Sequence, residues 1–161
     1  MESISQLNFP DKLEIHLLEE DTSNPIPKIA ITLTLYAKKK DNYDFGPPLS
    51  DQNGIIIVAK DWVRKSIKET RDFFIMDYAS NLEDCFPVIY IKILDSAEIQ
   101  RAISAMKLYG IENGGLGVEN TVLDLENVAN GEYTPKGVPL DLSGPYEEIR
   151  SITIKLKKDL R

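Results

Sequence analysis

The stretch DFGPPLSDQNGIIIVAKDWVRKSIKETRDFF (residues 44–74) decides how the chain is read. A proline pair and an Asp-Gln-Asn-Gly turn lead into the uncharged run Ile55-Ile56-Ile57-Val58, and a charged segment of helical spacing follows at once. Strand and helix in that order invite comparison with a phosphate-binding loop. Such a loop needs several glycines after the strand and a Lys-Ser/Thr pair at the helix start, because backbone N–H groups must wrap the phosphates. Here Gly54 precedes the strand, and Asp61 sits where a phosphate would have to lie. The stretch therefore reads as a turn into a strand, with Gly54 placed where a positive φ is wanted. Because the apolar run is continuous, both faces of that strand are expected to be covered. The second cover is the helix predicted over residues 61–72, capped by Asp61 and burying Trp62, Val63, Ile67 and Phe74. Burial of each is worth roughly 1.5–3 kcal/mol in transfer terms.

Working outward, Leu13, Ile15 and Leu17 alternate with Glu14, His16 and Leu18, the pattern of a first strand. Ile29, Ile31, Leu33 and Leu35 alternate with Ala30, Thr32, Thr34 and Tyr36, a second strand rich in β-branched residues. Residues 38–54 read as a loop. FPVIYIKIL (86–94) is another strand, with Pro87 confined to its start or to an edge. Asp95 and Glu98 then make a capping box for a helix that buries Ile99, Ala102, Ile103 and Met106 and stops at Gly110. From Ile111 to Tyr146, glycines punctuate short apolar pieces such as TVLDLENV, read as short strands and long loops. IRSITIKLKK closes the chain as a strand with Ile152, Ile154 and Leu156 on one face.

The 161 residues fit one domain over 1–161 that can bury a core without staples. Twenty-six acidic and 19 basic residues give a net charge of −7, a field that repels nucleic acid. The basic run Lys38-Lys39-Lys40 is followed by Asp41 and Asp44 and reads as a solvated strand end. Cys85 is the single cysteine, so no intrachain disulfide forms. No signal peptide is read at the N-terminus, and no apolar run approaches the roughly 20 residues that span a bilayer. A soluble, cytoplasmic protein that meets neither membrane nor nucleic acid is expected.

Candidate chemistry is sparse. The glycine cluster from Gly110 to Gly117 follows a helix, the wrong order for a dinucleotide fingerprint. Asp41, Asp44, Asp51 and Asn53 are oxygen donors, but turns favour Asp and Asn for local reasons, and their spacing matches no calcium loop. One histidine, His16, and one cysteine leave little for zinc or for a nucleophile–base pair. No catalytic residue, cofactor or metal is therefore expected. The residues singled out for binding are Tyr43, Asp44 and Phe45 with Asp77 and Tyr78, which combine aromatic surface and carboxylates in presumed loops.

NPIPKIAITLTLY, GPPLSDQNGIIIV and TVLDLENVANGEYTP, in that order, resemble the prealbumin-like modules of the carboxypeptidase-regulatory and transthyretin-like group. The matching residues are Ser50, Asp51 and Gly54, then Asn127, Val128, Gly131 and Tyr133. The resemblance implies a seven-strand Greek-key β-sandwich; joined to the two helices read from periodicity, it gives the expectation of a mainly β, α+β chain with two helical insertions. It also implies a non-enzymatic binding module; exposed edge N–H and C=O groups make the expected partner another protein or a second copy joined through a sheet edge. The helices depart from the minimal module, and the single histidine disfavours the hydrolase branch of that group. The alternative is a small hydrolase or carbohydrate-binding protein that takes a sugar ligand with a carboxylate pair.

Overall fold

The computed structural model describes residues 9–36, 42–45, 48–66, 88–114, 120–142 and 144–159. They form a mixed α+β fold with seven strands in two sheets. In the three-stranded sheet, β1 (Lys12–Glu19) lies between β4 (Ile55–Ala59), antiparallel, and β7 (Ile149–Leu156), parallel. The four-stranded sheet is antiparallel in the order β3 (Asn42–Phe45), β2 (Ile31–Tyr36), β5 (Val88–Ile93) and β6 (Lys136–Asp141). Register aligns the predicted apolar rows: Ile15 pairs with Ile56 and Ile152, and Leu33 pairs with Ile91. Leu13, Ile15 and Leu17 from one sheet and Leu33, Leu35, Ile89 and Ile91 from the other share one buried core.

The turn before β4 is built as its residues dictate. Asp51 Oδ1 accepts the N–H groups of Asn53 (2.8 Å) and Ile55 (3.0 Å), and Gly54 takes φ +73°. A Cβ at Gly54 would stand 2.6 Å from the Leu17 carbonyl oxygen, so the position requires glycine on two counts. The strand itself corrects the expectation of two covered faces: Ile56 and Val58 are buried, whereas Ile57 is 54% exposed. A run without polar residues hides the period of two, because an isoleucine on the outer face of an edge strand looks the same in sequence as one in the core. The helix that follows is described over residues 60–66, so Asp61 lies within its first turn and is not its cap. Val63 is buried and Trp62 half-buried against the main core, not across the outer face of β4. Ile67 and Phe74 lie outside the described residues.

This helix, α1, is followed by α2 (Ser96–Leu108) and the single turn α3 (Val122–Leu125). Ile99, Ile103 and Met106 of α2 join Val122, Leu125, Ala30 and Leu94 in a second, smaller core. Within TVLDLENV, where a short strand is expected, Val122–Leu125 form a helical turn. Thr121 and Asp124 make a reciprocal capping box, the helix-start signal carried by Thr-x-x-Asp. A second departure lies in residues 38–54, read as a loop: residues 42–45 form β3.

The edge strands β3 and β4 are four and five residues long, whereas β6 and β7 run to six and eight. Alternate residues of β4 face β1 in bonded pairs, as Gly54 does when its carbonyl accepts the Leu17 N–H (2.8 Å), leaving Ile55 and Ile57 turned outward. Asp51 occupies Ile55 on both sides, accepting its N–H and donating its own N–H to the Ile55 carbonyl (3.0 Å each). With α1 starting at residue 60, this edge offers an incoming strand the outward backbone groups of Ile57 and Ala59 at its far end. On β7, Lys136 Nζ donates to the Lys155 carbonyl (3.3 Å), and just past the strand the Thr134 N–H donates to the Lys157 carbonyl (2.8 Å).

Candidate functional site

A cleft of about 480 Å³ opens where the first turn of α2 meets the segment leading into β6 and the end of the described chain. Its walls are residues 95–97, 130 and 131, Tyr133, Pro135 and Asp159. The volume falls within the range of small-ligand sites, roughly 300–1,000 Å³. By contrast, the hollow beside Glu19 and Lys158 measures about 120 Å³.

Each wall has a local cause. Asp95 caps α2: its Oδ1 accepts the Glu98 N–H (2.7 Å), and Glu98 Oε1 accepts the Asp95 N–H (3.1 Å). Glu98 is also ion-paired with Lys92 on β5, and that hydrogen bond raises the Lys92 pKa, which burial alone would lower. The floor is held by Asn130, which is 1% exposed. Its Oδ1 accepts the Ala30 N–H (2.7 Å), and its Nδ2 donates to the carbonyls of Ala30 (2.9 Å) and Leu94 (2.8 Å). One amide thereby ties together the chain entering β2 and the chain leaving β5. Asp159 is placed by backbone pairing, its N–H donating to the Glu132 carbonyl (3.0 Å).

Tyr133 is buried, and its hydroxyl donates to Glu19 Oε2 (2.9 Å). Burial first, and then the bond to the Glu19 carboxylate, push the tyrosine pKa up to about 12. Hydrogen bonds from Thr22 (2.8 Å) and Tyr133 lower the Glu19 pKa. The pair stays a neutral phenol against a carboxylate across the physiological range. With that hydroxyl engaged, Tyr133 brings ring carbon to the cleft, beside the ring of Pro135.

Of the residues singled out from sequence, Tyr43, Asp44 and Phe45 lie in edge strand β3, opposite Leu35, Thr34 and Leu33, and not in a loop. Asp77 and Tyr78 lie outside the described residues, as does Cys85. His16 sits on β1 with Nε2 3.6 Å from Glu14 Oε1, and Ser151 Oγ donates to the same Glu14 oxygen (3.4 Å). In that order the carboxylate separates serine from histidine, so it is no triad. No group of three or more potential metal ligands occurs among the described residues. The sequence marked Gly131 and Tyr133 only as fold signatures. Nothing in NVANGEY announces that Asn130 reaches back 100 residues to Ala30.

No family model matches the chain, and no curated protein matches it. Among solved structures it is similar to the crystal structure of a 9R-lipoxygenase from Cyanothece PCC8801, at 12% identity and a TM-score of 0.37. That likeness covers 96% of this chain but 17% of the lipoxygenase chain, and at so low a score it carries no argument. No helix among the described residues is long and apolar enough to cross a membrane.

Proposed function

We propose that this chain is a non-enzymatic interaction module, working in the cytoplasm, whose recognition site for a protein partner is the cleft at the start of α2. The observation that carries this reading is the construction of the cleft. It is roomy, and its walls are fixed before any ligand arrives by a capping box, the buried Asn130 and the Tyr133–Glu19 bond. Preorganisation of this kind lowers the entropic cost of binding. The carboxylate of Asp95 is committed to the helix cap and the hydroxyl of Tyr133 to Glu19, so neither is poised as an acid, base or nucleophile. A different protein is favoured over self-association through β4, because Asp51 and α1 shorten that edge.

Seven strands in sheets of three and four around one core support the further reading of a Greek-key, prealbumin-like sandwich. So do the Ser50-Asp51 turn into β4 and the Gly131-x-Tyr133 approach to β6.

The test is affinity capture from the native lysate with quantitative mass spectrometry, comparing the wild-type chain with Gly131→Trp, which fills the cleft. A partner bound by the wild type and lost by the variant is expected; a partner retained by both would place recognition elsewhere.

A further inference from the structure

We propose that the chain pairs with a second copy of itself, the two β7 strands lying antiparallel across a two-fold axis through Ser151. This surface is separate from the cleft and does not rest on the reading above. β7 is an outer strand of its sheet, bonded to β1 along one side. The Lys12 N–H donates to the Glu148 carbonyl (3.0 Å) and the Glu20 N–H to the Leu156 carbonyl (2.9 Å), so the even-numbered residues turn their backbone groups toward β1. Those of Ile149, Ser151, Thr153 and Lys155 therefore point away from it. Lys136 Nζ holds the Lys155 carbonyl, which closes that end of the edge. Among the described residues no strand pairs with the outward groups of Ile149, Ser151 and Thr153, and all three side chains are exposed. The outer strand of the other sheet, β6, is a poorer template because Pro139 cannot donate to a ladder.

Charge selects the occupant. Glu147 and Glu148 lead into β7, whereas Lys155 and Lys157 end it, and all four are exposed. Lys158 is set apart, being paired with Glu19. An acidic segment laid along this edge is repelled at one end, and a basic segment at the other. A second copy running antiparallel matches both ends, because its Glu147 and Glu148 come alongside Lys155 and Lys157 of the first copy, and the reverse. Centred on Ser151, the pairing uses the uncovered stretch: Ile149 lies opposite Thr153 of the second copy, and Ser151 opposite its own counterpart. The contact is self-complementary and closed, so it stops at two copies. On the inner side, half-buried Ile152 comes opposite Arg150 of the second copy, whose methylenes can cover it. The net charge of −7 opposes self-association, but it is spread over the whole surface, whereas these charges meet at close range.

The experiment is sedimentation equilibrium of the whole chain from micromolar to millimolar concentration. A species of twice the 18.2 kDa chain mass is expected. Ser151→Pro removes an outward N–H and no bond to β1, and should weaken the dimer about tenfold or more. Glu147→Lys/Glu148→Lys and Lys155→Glu/Lys157→Glu should each weaken it about tenfold, the scale of several exposed charge pairs reversed together. An equimolar mixture of those two variants, both still net acidic, should associate as well as the wild type. Gly131→Trp should leave the dimer unchanged. A monomer throughout, a dimer indifferent to Ser151→Pro, or charge-reversed variants that fail to complement each other would each overturn the assignment. Loss of the dimer in Gly131→Trp would overturn it too, by moving self-association to the cleft. A chain that stays monomeric, yet loses a lysate partner with Gly131→Trp, would sink this proposal and leave the cleft reading standing.

Discussion

Replacing Asn130 probes how the floor of the cleft is held. Its amide accepts the Ala30 N–H at 2.7 Å and donates to the Leu94 carbonyl at 2.8 Å. In Asn130→Ala these two buried backbone groups are stranded, and each costs about 1–3 kcal/mol. A loss of about 2–6 kcal/mol is a large part of the 5–15 kcal/mol typical of a whole domain. Urea unfolding followed by Trp62 fluorescence reads it as a lower midpoint at unchanged slope. Asn130→Asp is the sharper variant, because it keeps the shape and changes only the donor. At neutral pH it sets a carboxylate oxygen against the Ala30 and Leu94 carbonyls, so it should be at least as unstable as the alanine variant, although it leaves no void. Protonation restores one donor, which raises the folded-state pKa of the new aspartate above its unfolded value of about 3.9. Its stabilising bond is then fully present below about pH 3.9 and is lost as pH rises through the folded-state value. The deficit of the aspartate variant relative to the alanine variant should therefore shrink in acid. An aspartate variant as stable as the wild type at neutral pH would refute the role given to Asn130.

Gly54→Ala forces a Cβ into the left-handed region, 2.6 Å from the Leu17 carbonyl oxygen and 2.9 Å from the Ile26 nitrogen. The urea midpoint should fall by the equivalent of about 1–3 kcal/mol, and an unchanged midpoint would contradict the turn geometry. A Cβ at Gly137 would stand 2.4 Å from Tyr90 Cζ, so Gly137→Ala must push the Tyr90 ring aside. Its cost of about 0.5–1.5 kcal/mol for an off-rotamer ring should vanish in a Tyr90→Ala background, and a double-mutant cycle showing additive losses would count against that contact. Tyr133 should ionise near pH 12 in ultraviolet difference spectra. Its raised pKa makes its stabilisation complete below pH 10 and lost between pH 10 and 12, a dependence that Tyr133→Phe should remove. Equal alkaline slopes in the two proteins would contradict it.

Much of the fold was legible because its signals are local. Period-two alternation located β1, β2 and β7, and the Asp95–Glu98 box with Gly110 bounded α2 to within two residues. Gly54 announced its own backbone angle. What was misread shares one cause: short-range pattern does not state which face a neighbour covers. Ile57 is as apolar as Ile56, yet only the pairing of β4 with β1 as an edge strand leaves it exposed. α3 was missed because Val-Leu-Asp-Leu suits a strand or a single turn equally, and the Thr121 cap decides it. The candidate cleft was illegible for a stronger reason. Its walls come from the start of α2, from the turn at Asn130–Glu132 and from Asp159, which meet only through backbone pairs and one buried amide.

The most direct measurement is hydrogen–deuterium exchange on the complex that the chain forms with a captured partner. Protection confined to residues 95–97, 130–135 and the neighbourhood of Asp159, and absent with Gly131→Trp, is expected of a partner seated in the cleft. Protection that leaves those segments unchanged and falls instead on β3 or on the outer face around Ile57 would contradict the assignment and place recognition at the sheet.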